Sequence, residues 1–116
     1  MSTETEGTLK KIEDYFGFVP KIFQVMSEKP EFLNAFQSTA DALINDDALP
    51  PLTKEFILIG AAASIGGEHC LKTHLSVAKE LGATEEELLS ATLLGSFIAE
   101  TKTLTKPLRV FYDIKE

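Results

Sequence analysis

Helical spacing of the apolar residues is the feature of this sequence that most restricts its fold. Leu9, Ile12 and Phe16 recur every three to four residues, and later segments between Gly and Pro breaks repeat this spacing. No run alternates apolar and polar residues between hairpin turns, as a half-buried strand would. The sequence therefore predicts an all-α fold, with a flexible N-terminus over residues 1–7 and one domain of about six helices over residues 8–116.

Single residues predict several of the helix ends. Pro30 suits the first turn of a helix, where its missing N–H has no intrahelical partner to lose. Gly82 suits the left-handed position just after a helix. Thr84 and Glu87 have the spacing of a capping box, in which each side chain accepts a hydrogen bond from the other's backbone N–H. The tail TKPLRVFYDI (105–114) fits a last helix or an extended arm, and periodicity does not choose between them.

Composition excludes several classes of protein. The 116 residues are 44% apolar and 25% charged, which is typical of one globular domain. The formal charge of −7 argues against a nucleic-acid partner, which clustered Lys and Arg would bind. The sole cysteine rules out an internal disulfide. Because no signal peptide and no apolar run long enough to span a bilayer is visible, we expect a cytoplasmic protein without a membrane partner.

The stretch GGEHCLKTH (66–74) holds that cysteine and both histidines of the chain. Cys70 and His74 are four residues apart, so their side chains share one face of the predicted helix. Cys70 also falls in the first turn, where the helix dipole favours a thiolate, and His69 can reach the same pocket from the side. The alternative is structural, because free cysteine is often a small buried apolar group. Spacing alone leaves the two interpretations about even.

Glu55 is a second candidate, near the start of TKEFILIGAAASIGG (53–67), an apolar helix for which Thr53 is the expected N-cap. One interpretation is a solvated acid that interacts favourably with the helix N-terminus. The other is a carboxylate that orients an imidazole, as in acid–histidine–nucleophile relays. From the sequence alone the first is favoured.

Other site types have little support. A structural zinc site needs four ligands, whereas the chain has one Cys and two His. No GxSxG, P-loop or GxGxxG motif follows a plausible strand. We therefore expect neither a metal nor a cofactor.

Two stretches, GFVPKIFQVMSEKPEFLNAF (17–36) and LTKEFILIGAAASIGGEHCLKTHLSVAKELGATEEELLSATL (52–93), resemble the AhpD-like alkylhydroperoxidases and their carboxymuconolactone decarboxylase relatives. The likeness covers most of the chain. It implies an AhpD-like helical domain that assembles as a homo-oligomer, commonly a trimer or hexamer. In the peroxidase branch, a Glu precedes a CxxCxxxH motif.

Carried over residue by residue, the resemblance implies catalytic roles for Glu55, His69, Cys70 and His74. Glu55 would orient His74, directly or through water, and His74 would deprotonate Cys70 for attack on a peroxide, giving a sulfenic acid. The family's first cysteine falls on Gly67, so no internal CxxC disulfide can form. Turnover would then need an external thiol reductant or Cys70 of another subunit.

Two further functions remain open at this stage. A lactone decarboxylase would use His74 and Glu55 as acid and base, but the GxP pattern typical of that branch is absent from GSFIAETKTLTKPLRVF (95–111). A non-catalytic oligomeric scaffold or small-ligand binder would retain the pocket of the family but would not catalyse a reaction there. The favoured prediction is an antioxidant oxidoreductase of the peroxiredoxin type with one cysteine.

Overall fold

A computed structural model of the chain describes residues 2–115 and shows six helices. They are α1 (Thr3–Phe16), α2 (Lys21–Met26), α3 (Pro30–Ile44), α4 (Pro51–Ile65), α5 (Glu68–Glu80) and α6 (Glu85–Lys115). No strand occurs among the described residues. The all-α prediction with about six helices is confirmed.

The chain divides into two compact units, one ending at Leu49 and the other beginning at Pro50. The N-terminal unit has a small core of Ile12, Phe23 and Leu33, one residue from each of its three helices. The division concerns packing within the chain, and the single domain over residues 8–116 remains a prediction.

Helix α1 begins inside the stretch 1–7 that the sequence predicts to be flexible, and that flexibility remains a prediction. Met1 lies outside the described residues, but α1 begins at Thr3, with Ser2 as its N-cap. The Ser2 hydroxyl accepts a hydrogen bond from the Thr5 N–H at 3.1 Å, and Thr5 is fully buried. Glu4 and Glu6 lie in the first turn, where acidic side chains interact favourably with the helix dipole. The polar residues at the start of the chain include a helix N-cap, which the sequence analysis did not recognise.

In the C-terminal unit, α4 packs against both α5 and α6. The predicted capping box is present: Thr84 N–H donates to Glu87 Oε1 at 2.9 Å, and Glu87 N–H donates to Thr84 Oγ1 at 3.1 Å. Gly82 follows α5 with a φ of 100°, in the left-handed region. The expected cap at Thr53 is wrong, because α4 begins two residues earlier, at Pro51, where proline suits the first turn.

The tail that the sequence left undecided is helical. Helix α6 runs without a break for 31 residues and includes Pro107 in its interior. It has no buried residue, and every described position after Glu100 is exposed.

Helices α4 and α6 approach closely at Gly60 and Gly95. A Cβ added to Gly95 would lie 2.7 Å from the Gly60 Cα and would overlap the Gly60 carbonyl oxygen. A Cβ added to Gly60 would meet only the Ala91 carbonyl oxygen at 3.8 Å and the Gly95 Cα at 4.0 Å. The crossing therefore needs glycine on α6 but has room for a methyl group on α4.

We expect Gly95→Ala and Gly60→Ala to affect stability in different ways. Gly95→Ala forces two backbones apart and should lower the free energy of unfolding by about 1–3 kcal/mol, the usual cost of overpacking. Gly60→Ala, the matched control, should be neutral or stabilise by up to about 1 kcal/mol, since alanine is the better helix former. Urea unfolding measures both, and equal effects would contradict this account of the crossing.

Candidate functional site

The turn between α4 and α5 brings the candidate residues together. Gly66 ends α4 with a φ of 70°, and the Gly67 N–H donates to the Ala62 carbonyl at 2.8 Å. The Gly67 carbonyl then accepts the first hydrogen bond of α5, from the Leu71 N–H at 2.8 Å. This short connection joins two packed helices, so one face of α5 lies against α4.

Glu55 and His74 form the polar contact between these helices. Glu55 Oε2 lies 2.8 Å from His74 Nδ1. The Glu55 residue is 1% exposed, and the His74 side chain is 18% exposed. Since α4 starts at Pro51, Glu55 lies in its second turn and is buried. The favoured sequence interpretation, a solvated acid at a helix N-terminus, is therefore wrong.

This contact fixes the chemistry of the imidazole. When Glu55 is ionised, its carboxylate only accepts hydrogen bonds, and His74 Nδ1 is then the donor in this contact. In the neutral ring, Nε2 is then the acceptor. A buried carboxylate thus orients the ring of a partly exposed histidine.

Cys70 lies one turn before His74 on α5 and is exposed. The two side chains point about 40° apart around the helix axis, so both occupy the same side of α5. No hydrogen bond joins the Cys70 thiol to another residue within 2–115. The structure therefore contains the Glu55–His74 contact but not a thiol–imidazole hydrogen bond, and the catalytic roles of the three residues stay predictions.

His69 is exposed in the first turn of α5. Its ring points about 140° around the helix from that of His74, and it has no side-chain hydrogen bond to the described residues. Its backbone carbonyl accepts from the Thr73 hydroxyl at 2.9 Å. The structure does not bring His69 into the Glu55–His74 pair, and its catalytic role also stays a prediction.

Gly67 leaves room beside the cysteine. A Cβ added at Gly67 would lie 3.7 Å from the Cys70 Cβ and 3.6 Å from the Ala62 carbonyl oxygen, both ordinary contacts. The φ of Gly67 is −78°, which other residues adopt without strain. The backbone therefore retains space for a side chain where the resemblance placed a second cysteine.

Sequence reasoning missed the part played by Ala62. Ala62 is buried, and its carbonyl holds the Gly67 N–H at the turn that positions α5. A backbone acceptor has no signature in residue type, so only its place among small residues indicated close packing.

Among residues 2–115, no three His, Cys, Asp or Glu side chains are grouped to hold a metal ion. No helix in this part of the chain is long and apolar enough to cross a membrane.

Comparison with known proteins adds one finding. The sequence model of the carboxymuconolactone decarboxylase family matches residues 30–112, from the start of α3 to near the end of α6. This match confirms the resemblance seen in the sequence and includes all four candidate residues. No significant match was found among curated proteins or solved structures.

Proposed function

The chain belongs to the carboxymuconolactone decarboxylase family, and we propose that it is a thiol-dependent oxidoreductase that reduces peroxides with Cys70. The observation that carries this proposal is the buried Glu55 carboxylate, hydrogen-bonded at 2.8 Å to His74, one helical turn from an exposed cysteine. A thiolate is a far better nucleophile than a thiol, and a histidine base beside a helix N-terminus favours its formation.

In the proposed reaction, His74 Nε2 takes the proton of the Cys70 thiol. The thiolate attacks one oxygen of a hydroperoxide, so that an S–O bond forms as the O–O bond breaks. The peroxide is reduced, and its other oxygen leaves as an alkoxide or hydroxide that receives the proton back from His74. Cys70 is oxidised to a sulfenic acid.

Because position 67 is glycine, a reductant from outside the chain must resolve the sulfenic acid. A first external thiol attacks the sulfenic sulfur, forming a mixed disulfide and releasing water. A second external thiol then attacks the external sulfur of the mixed disulfide. Cys70 is released as a thiol, and the two external thiols leave joined as a disulfide. The cytoplasmic location expected from the sequence would supply reduced thiols for both steps.

The residues have different roles in this proposal. Cys70 and His74 touch the reacting atoms and are the catalytic residues. Glu55 acts through His74 and is a positioning residue, because its carboxylate fixes the tautomer and the direction of the ring. His69, exposed beside Cys70, is assigned a contact with the incoming peroxide or thiol at the entrance to the site.

The test measures sulfenic acid formation at Cys70. Reduced protein is mixed with stoichiometric cumene hydroperoxide, the product is trapped with dimedone, and the modified peptide is quantified by mass spectrometry. We expect Cys70 to react much faster than a free cysteine peptide, and His74→Ala to slow the reaction about 100-fold, the lower range for loss of a general base. Glu55→Gln should slow it less. A Cys70 no faster than the peptide would refute the proposal.

The same geometry supports a second candidate, a lactone decarboxylase. Its basis is that the Glu55–His74 pair is complete without a hydrogen bond from Cys70. His74 would supply the proton that replaces the lost CO₂ on a lactone acid, with Glu55 orienting the ring. Cys70→Ser separates the two functions, because it should abolish peroxide reduction and leave decarboxylation of a carboxylated muconolactone largely intact. Lack of both activities in the unmodified protein would favour the non-catalytic scaffold.

A further inference from the structure

The C-terminal arm, which we define as residues 101–115 of α6, lacks a packing partner within the C-terminal unit. Every residue of the arm is exposed. At 1.5 Å per residue, α6 is about 46 Å long, roughly twice the length of α4 or α5, on which its first half packs. The arm therefore projects beyond these helices.

An unsupported helix of this composition would be weak. Most helical stability in proteins comes from tertiary packing of an apolar face, which the arm lacks within its unit. The arm contains three threonines, which are poor helix formers, and an interior proline costs about 3 kcal/mol. Its helical form therefore points to a partner that packs against it.

One face of α6 carries an apolar stripe that continues from the body of the unit into the arm. The stripe consists of Leu93, Phe97, Leu104, Leu108 and Phe111. Their spacing places all five within about 60° of arc around the helix. Each is 45–65% exposed. Glu100, about 20° outside this arc, separates Phe97 from Leu104, so the stripe is an uncovered surface whose arm part consists of Leu104, Leu108 and Phe111.

The same unit has an open apolar groove between α4 and α6, with a volume of about 460 Å³. Gly60 and Gly95 cross at its floor, and Phe56, Ile57, Leu94 and Ile98 form much of its walls. None of its lining residues is charged. It can accept the aliphatic and aromatic side chains of a helix.

The distribution of charge indicates which helix binds in the groove. The arm carries four basic residues (Lys102, Lys106, Arg109 and Lys115) against the single acid Asp113. Residues 1–100 carry 16 acidic and seven basic residues. A second copy of this chain thus offers both an apolar groove and charge opposite to that of the arm. An anionic lipid surface or nucleic acid would attract the arm but repel the rest of a chain whose net charge is −7.

We propose that the C-terminal arm of one copy docks its apolar stripe into the α4–α6 groove of a second copy. This heterologous contact joins an arm to a groove, so it can be exchanged reciprocally in a dimer or repeated around a closed ring. The contact explains the exposed stripe, the open groove and the basic arm together. It does not depend on the proposed chemistry at Cys70.

The first experiment is sedimentation equilibrium of the full chain and two arm variants. We expect the unmodified chain to be oligomeric and Leu108→Glu to raise the dissociation constant at least about tenfold, because a charge would enter an apolar groove. Thr103→Glu adds the same charge about 110° away from the stripe and should have a much smaller effect. Circular dichroism confirms that each variant retains its helices up to the arm.

A second experiment tests arm and groove together. Ile57→Glu, at a groove residue that is 55% exposed, should also weaken self-association. Mixing it with Leu108→Glu should restore a complex, since one variant keeps a working arm and the other a working groove. A monomeric unmodified chain, an unchanged assembly of Leu108→Glu, or no complex in the mixture would overturn the proposal. So would a monomer that binds phosphatidylserine vesicles through Leu108, because the occupant would then be lipid.

Discussion

A disulfide between positions 67 and 70 is the expected result of replacing Gly67 with cysteine. The added Cβ would lie 3.7 Å from the Cys70 Cβ, inside the range of about 3.5–4.5 Å found in disulfides. Neither the φ of −78° nor the neighbouring Ala62 carbonyl opposes the new side chain. Oxidation should therefore convert both thiols into a disulfide and lower the mass of the protein by two hydrogen atoms. After reaction with peroxide, the new thiol should attack the Cys70 sulfenic acid and release water, so resolution should no longer depend on the concentration of external thiol.

Two variants keep this prediction open to refutation. Gly67→Ser fills the same space without a thiol and should still need an external thiol for turnover. Gly67→Cys combined with Cys70→Ser has a single thiol at the new position and should form no internal disulfide. Thiol titration and intact mass measure the oxidation state in each case. Two free thiols that persist in folded Gly67→Cys after treatment with oxidised glutathione would show that the turn does not hold a dithiol geometry.

Local signals in the sequence predicted much of the fold. The capping box of Thr84 and Glu87, the proline at the start of α3 and Gly82 after α5 each fix a helix end through neighbouring atoms, and each is confirmed. The tail after Lys106 was undecidable because its periodicity fits two conformations, although the structure continues α6 through it. The close approach of Gly60 and Gly95 depends on how two helices cross, which no local pattern specifies.

The candidate site, like the fold, was predictable from the sequence only where neighbouring residues determine the geometry. Helical spacing alone placed Cys70 and His74 on one side of α5, because one helix determines both positions. The burial of Glu55 depends on the packing of α4 against α5, and the sequence interpretation without the family resemblance favoured a solvated acid. The resemblance named Glu55 as the orienting acid but left its contact with His74 direct or water-mediated, and the structure has a direct hydrogen bond. Tertiary contacts, rather than residue type, decide this part of the site.

Loss of the His74 side chain should be among the most destabilising single substitutions in the C-terminal unit. His74→Ala removes the imidazole that lies 2.8 Å from a carboxylate in a residue only 1% exposed. Removing the hydrogen-bond partner of a buried group typically costs about 1–3 kcal/mol, and more when that group is charged. His74 is partly exposed, so water can replace some of the lost contact, and we expect about 3 kcal/mol in urea unfolding.

The chain supplies its own control for this loss, since its other histidine, His69, is exposed on the same helix. His69→Ala should change the free energy of unfolding by no more than about 0.5 kcal/mol, as surface substitutions usually do. Glu55→Leu combined with His74→Leu should recover much of the stability, because an apolar pair removes the desolvated charge as well as its partner. If His74→Ala and His69→Ala destabilised the protein equally, the Glu55–His74 contact would contribute nothing specific. If the double leucine variant were no more stable than His74→Ala, the cost would lie in packing around the ring rather than in the contact that the Glu55 carboxylate loses.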